Sequence, residues 1–213
     1  MQEVLNMEII TNRKDEWKIK GALDGIYSTG WFRACLEAYK TMGQIQQNFW
    51  NKWVPKKFNV FIWRATLDRI PTRKNLSNMG LDIPSTLCPF CENEEESSTH
   101  LFLKCPLSVL FWAKFGQWWN LTIPIFSRIE DPICWSWSAR KNMIEGLWLQ
   151  VAIVAVLSFI WKLRNEVIFE KKKMVIDLDF RKIQEIAFQW LSSRNRRFKL
   201  ELHKWVSNPI NNM

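Results

Sequence analysis

Apolar positions along this chain recur mostly at helical spacing. Phe58, Phe61, Ile62 and Ala65 fall at i, i+3, i+4 and i+7, one face of a 3.6-residue repeat. Val60, Trp63 and Leu67 add a second stripe, so the pattern predicts a helix buried on more than one side. Pro55 stands at its first turn, where a missing N–H costs nothing. Ile70-Pro71-Thr72 ends it, and Thr72 can cap a short helix that stops at Gly80. Residues 97–103 predict one or two helical turns, with Ser97 or Ser98 as cap. Pro106 restarts a helix that runs to Trp118 or Trp119. Residues 120–141, interrupted by Pro124 and Pro132, read as irregular.

Residues 142–170 predict a long helix. Lys171-Lys172-Lys173 separates it from a last helix over about 177–203, whose face is Ile183, Ile186, Ala187, Trp190 and Leu191. Near the start, Trp17 and Ile19 alternate with Lys18 and Lys20, and Asp24-Gly25 is a hairpin turn signal. Ser28 or Thr29 can then cap a helix through about Tyr39. The fold class that results is mainly α. A small helical domain, stapled where cysteines and a histidine crowd together and with a short N-terminal β-hairpin, precedes a long buried helix and a C-terminal amphipathic helix. The boundaries follow: a tail at 1–14, the stapled domain at 15–120, an irregular connection at 121–141, a helical region at 142–205 and a tail at 206–213.

The segment 147–161, LWLQVAIVAVLSFIW, is apolar nearly all round. It falls short of the ~20 residues that cross a bilayer. Gln150 and Ser158 interrupt it, and Lys162 and Arg164 end it, so it reads as a core helix packed on the helix that starts near Pro55, with a short span as the alternative. No stable membrane span is expected. Glycine is sparse, which argues against a turn-rich sandwich or barrel. The opening residues lack the regions of a secretory signal, so a nuclear or cytoplasmic setting is expected and secretion is not.

The chemistry concentrates in CPFCENEEESSTHLFLKCP. Cys88, Cys91, His100 and Cys105 read C-x2-C-x8-H-x4-C, four of the seven cysteines and histidines in the chain. Three thiolates and an imidazole are the ligand types of a closed tetrahedral Zn²⁺ site, structural because no coordination position stays open. The competing readings are buried free thiols or a disulfide between Cys88 and Cys91. Cys35 and Cys134 stand apart from the cluster.

A longer series now becomes visible. Pro55, Lys56, Phe61, Trp63 and Arg64 are followed by Pro71, Thr72, Arg73, Asn75 and Leu76. Then come Cys88, Pro89 and Cys91, and after them Glu96, Ser97, His100, Leu101, Phe102, Cys105, Pro106 and Trp112. In this order the residues resemble the plant reverse transcriptase zinc-binding domain, found downstream of the polymerase in LINE-type non-LTR retrotransposons. The flanks resemble that family too, so the likeness covers roughly residues 15–173. The run Glu94-Glu95-Glu96 departs from it, since the family often has fewer acids there.

The resemblance implies a metal-binding, retrotransposon-derived protein whose parent element is an RNA-directed DNA polymerase. The polymerase itself needs paired carboxylates for two metal ions. No Asp-Asp pair occurs in the chain, and no set of RNase H carboxylates is recognisable. No Gly-rich phosphate loop or G-x-S-x-G is present either. No enzyme activity is therefore expected.

The net charge is +9, with a sequence pI near 9.4. It is unevenly placed. The zinc segment carries Glu92, Glu94, Glu95 and Glu96 against Lys104. Lys56, Lys57, Arg64, Arg69, Arg73 and Lys74 form one basic group, and Arg194, Arg196 and Arg197 another. Such groups can give salt-dependent, sequence-independent contact with RNA or DNA, and the competing reading is a solvated basic face with the aromatic rings spent on the core. The expected role is an accessory domain with a structural zinc and weak, non-specific nucleic-acid binding. The alternatives are a zinc-stabilised module that docks a polymerase or other protein, and a non-functional remnant of a retroelement.

Overall fold

The computed structural model describes residues 50–140, 142–194 and 200–212. The expected N-terminal hairpin, the helix to Tyr39 and Cys35 lie outside these residues. Seven α-helices follow in order among the described residues: α1 (Lys56–Thr66), α2 (Arg73–Asn78), α3 (Pro106–Trp119), α4 (Asp131–Ser138), α5 (Met143–Glu170), α6 (Ile176–Arg194) and α7 (Leu202–Ser207). A π-helical turn (His100–Lys104) precedes α3, and a 3-10 turn (Pro209–Asn212) follows α7. The β structure among them is one isolated antiparallel bridge, Leu87 to Glu95.

α5 is the axis of the fold. Every residue over 148–160 is buried, and α1, α4, α6 and the π-helical turn all pack on it. Asn142 caps its start, its Oδ1 accepting from the Ile144 N–H at 2.9 Å. By length and composition α5 could cross a membrane, but 78% of its apolar window is covered by the protein's own side chains. The polar interruption at Gln150 has a structural cause. Its Oε1 accepts from Asn51 Nδ2 at 2.9 Å, and Asn51 also donates to the Leu147 carbonyl at 3.0 Å. Asn59 of α1 donates to the Asn51 carbonyl at 3.0 Å. These buried amides satisfy one another and fix the register of α1 against α5, as buried polar groups must.

Aromatic rings fill the other side. Phe111, Trp112, Phe115, Trp118 and Trp119 form one stripe of α3. Trp205 of α7 is fully buried edge-on to Trp118, Trp119 and Trp148, and its indole N–H reaches the Gln184 carbonyl at 2.8 Å. A backbone close approach supports this packing: a Cβ on Gly116 would lie 2.8 Å from the Leu121 carbonyl oxygen.

Four expectations need correction. The connection at 121–141 is not irregular throughout, because α4 forms inside it. Pro132 sits in the first turn of α4, where proline is tolerated, and Asp131 Oδ2 accepts from the N–H groups of Ser127 and Arg128. The last helix does not run to His203. α6 ends at Arg194, Leu200 and Glu201 are non-helical, and α7 begins at Leu202. The second stripe of α1 is not buried: Val60, Trp63 and Leu67 are each about 40% exposed. Pro55 also stands one residue earlier than expected, at the N-cap position. The packing of 147–161 on α1 is as the pattern predicts, with Phe61 and Trp161 ring centroids 6.1 Å apart.

Candidate metal centre

Local hydrogen bonding builds the knuckle that carries the first two cysteines. The Leu87–Glu95 bridge closes its base, with Cys88 N–H donating to the Glu94 carbonyl at 2.7 Å and Glu96 N–H to the Thr86 carbonyl at 2.8 Å. The chain reverses through Pro89 and Phe90. Glu92 then takes a left-handed φ of 55° and donates its N–H to the Cys88 carbonyl at 2.9 Å. This turn brings both sulfurs to one side.

The second pair depends on the π-helical turn. Ser97 Oγ accepts from the His100 N–H at 3.1 Å and starts the helical segment. In an α-helix, residues five apart point about 140° away from each other. Here the Cys105 N–H donates to the His100 carbonyl at 2.7 Å, five residues back, so the two side chains share a face. α3 supports the widened turn. Ser108 Oγ donates to the Leu101 carbonyl and Trp112 Nε1 to the Phe102 carbonyl at 2.8 Å. Phe102 itself joins Phe61 of α1 and Trp161 of α5 in a three-ring cluster, each pair of centroids 6.1–6.4 Å apart.

The four ligand atoms converge. All lie within 4.8 Å of one another. Cys88 Sγ is 3.9 Å from Cys105 Sγ, and Cys91 Sγ is 3.3 Å from His100 Nε2. A tetrahedral Zn²⁺ with ordinary bond lengths spaces such pairs by about 3.8 and 3.5 Å. The donor set therefore fits zinc, and the cluster is a structural Zn²⁺ site. It contains no disulfide: Cys88, Cys91 and Cys105 are all free thiols. The bond to Cys105 and then burial push the Cys88 thiol far up. The same bond pulls Cys105 down, against burial, helped by the peptide amides of Leu107 and Ser108.

The acidic run, which the sequence marks only as a departure, divides among three jobs. Glu94 Oε2 lies 2.9 Å from His100 Nδ1, which fixes the imidazole with Nε2 facing the sulfurs, the usual carboxylate–histidine–metal relay. Glu95 pairs with Lys74 of α2 at 2.6 Å. Glu96 is fully buried, and both its oxygens meet Arg164 of α5 at 2.7 Å, while Oε2 also accepts from the Arg73 N–H at 2.7 Å. The fork of Arg164 thereby ties the zinc knuckle to the core helix.

The basic residues are not equivalent. Arg73 donates to the Leu87 carbonyl at 2.7 Å, Lys74 is bonded to Glu95, and Arg64 Nη2 donates to the Arg69 carbonyl at 3.1 Å. Lys56, Lys57 and Arg69 are exposed. Arg194 is exposed in the last turn of α6, and Trp190 of α6 packs on Phe58 at 4.5 Å, beside the first turn of α1. Arg196 and Arg197 lie outside the described residues.

A family model described as zinc-binding in reverse transcriptase matches residues 28–112, a stretch that holds the whole cluster. No curated protein and no solved structure matches the chain.

Proposed function

We propose that this chain is a zinc-stapled accessory domain derived from a LINE-type plant retroelement, which contacts RNA or DNA weakly and without sequence preference. It performs no catalysis of its own. Its zinc is structural, and its working compartment is nuclear or cytoplasmic. One observation carries the reading: three cysteines and a histidine converge at zinc-binding distances inside the stretch that matches a reverse transcriptase zinc-binding segment. Three thiolates and an imidazole leave no coordination position for a reacting water. Within the described residues, the Glu96–Arg164 and Asn51–Gln150 bonds tie the zinc-binding segment and the residues leading into α1 to α5.

Nucleic-acid contact belongs to the cations left free for it, Lys56, Lys57 and Arg69, with Arg194 of α6 and with Arg64 at the edge. Their affinity for single strands falls with salt at a log–log slope of roughly −0.7 per phosphate neutralised. The test is binding of the zinc-loaded protein to labelled RNA and DNA across salt concentrations, beside a Lys56→Glu, Lys57→Glu, Arg69→Glu variant. The variant loses affinity for every sequence alike. Equal binding by variant and parent at low salt refutes the reading. A second reading, a protein-docking module, draws on the exposed aliphatic side chains Val60 and Leu67.

A further inference from the structure

From the outer face of α1 we infer a binding site for single-stranded nucleic acid in which Trp63 is the base-stacking platform. This rests on the nucleic-acid reading and adds to it a strand preference and a residue. The first support is where the tryptophans go. Of the twelve in the described residues, Trp50 and Trp63 are the two that are exposed, at 58% and 42%. Both fall in the basic stretch of residues 50–74. The remaining ten are buried or half-buried. In a chain that spends its aromatic rings on packing, two open indoles among cations are out of keeping with the rest.

The second support is the face itself. On a helix of 3.6 residues per turn, Trp63, Lys56, Leu67, Val60, Arg64 and Lys57 fall within about a third of the circumference. All six are exposed, whereas Asn59, Ile62 and Ala65, on the opposite side, are buried. The first turn of α1 has no acid to neutralise its lysines. Asp68, the acid nearest in sequence, already accepts from Ser98 Oγ and from Asn75 Nδ2 at 3.1 Å. The face therefore presents an indole flanked by cations without a free carboxylate of its own helix.

That combination selects the strand type. Phosphates meet Lys56, Lys57 and Arg64 in either a duplex or a single strand. An indole can stack only on a base that is not already stacked and paired. At 1.5 Å per residue α1 is about 16 Å long, which matches roughly four or five nucleotides at a 3.4 Å step. Val60 and Leu67 extend the apolar strip on either side of the ring.

The experiment uses the full zinc-loaded chain, a labelled 12-nucleotide oligodeoxyadenylate, and the same oligomer annealed to its complement. Trp63→Ala, Trp63→Phe and the Lys56→Glu, Lys57→Glu, Arg69→Glu variant are compared with the parent by fluorescence anisotropy. Circular dichroism and zinc content check the fold, which an exposed ring should leave intact. The parent should prefer the single strand. Trp63→Ala should weaken single-strand binding roughly 5- to 150-fold and leave duplex binding unchanged, and Trp63→Phe should keep most of the affinity. If Trp63→Ala binds the single strand as tightly as the parent while the charge variant does not, the platform is refuted and the basic-contact reading stands. If the parent binds neither nucleic acid in a salt-dependent way, the reading beneath the proposal fails with it. Binding to a synthetic acidic amphipathic helix instead, lost in Trp63→Ala, assigns the face to protein docking and overturns the proposal.

Discussion

The zinc knuckle and the helix behind it are stabilised by different physics. Around α5, side chains over 148–160 are buried, and ring packing and apolar burial hold them. The knuckle at 87–105 has short turns, one bridge, a run of acids and four metal ligands. Of its side chains, Phe90, Leu101, Phe102 and Leu103 supply the buried apolar surface. The first region is held by its own buried side chains, whereas the second is built around four metal ligands. Between them lie a buried ion pair, Glu96 with Arg164, and the contact of the Phe102 ring with both Phe61 and Trp161. The contrast teaches that the metal shapes a small region, while the surrounding helices present that region to the outside.

The largest test of this division is removal of the metal. Zinc binding in small sites contributes on the order of 10–16 kcal/mol, all of it available to folding the site. Chelation, or Cys88→Ser, should abolish stoichiometric zinc and open the knuckle. In hydrogen exchange, amides over 87–105 should lose protection while those over 148–163 keep it. Equal loss in both regions would show that the two are a single cooperative unit, and the comparison would fall.

A smaller effect probes the link. Arg164→Met leaves Glu96 buried without its partner, and breaking a buried pair in this way costs about 3–5 kcal/mol. The urea midpoint should drop accordingly. Adding Glu96→Gln to Arg164→Met should restore part of the loss, because the stranded charge is gone. Additive losses in the double variant would mean the pair does not couple the regions.

Legibility in the sequence follows the same divide. Features set by neighbours in the chain are readable. Pro55, Thr72, Pro106 and Asn142 mark helix starts by local rules, and the cysteine spacing marks the metal cluster. Features set by distant partners are not. Nothing within EEESS says that Glu96 will meet an arginine 68 residues away, or that Glu95 will meet Lys74. The outer stripe of α1 looks like core because hydropathy does not record which side of a helix is covered. Pro132 looks like a breaker because proline serves both at helix starts and in loops. Trp205 becomes core only where the fold sets it among Trp118, Trp119 and Trp148. One missed signal was available: four residues between His100 and Cys105 place them apart on an α-helix, so a shared metal requires a widened turn.

The smallest predicted effect concerns Glu94, and it separates the metal's ligands from the residues that aim them. Its carboxylate is 70% exposed, so its loss strands no buried charge and leaves the fold alone. Its bond to His100 Nδ1 is nonetheless the side-chain contact that sets which ring nitrogen faces the sulfurs. Outer partners of this kind contribute about 10–100-fold to metal affinity. Glu94→Ala should therefore lower zinc affinity by that factor in competition with a chromogenic chelator, while the thermal stability of the zinc-saturated protein changes little. Glu94→Gln can still accept from Nδ1–H through its amide oxygen, but without the charge, and should fall between the parent and Glu94→Ala. Glu95→Ala is the control, because it removes a neighbouring acid that pairs with Lys74 and not with the imidazole. If Glu94→Ala and Glu95→Ala weaken zinc equally, the effect is the general negative field of the run, and orientation of His100 plays no part.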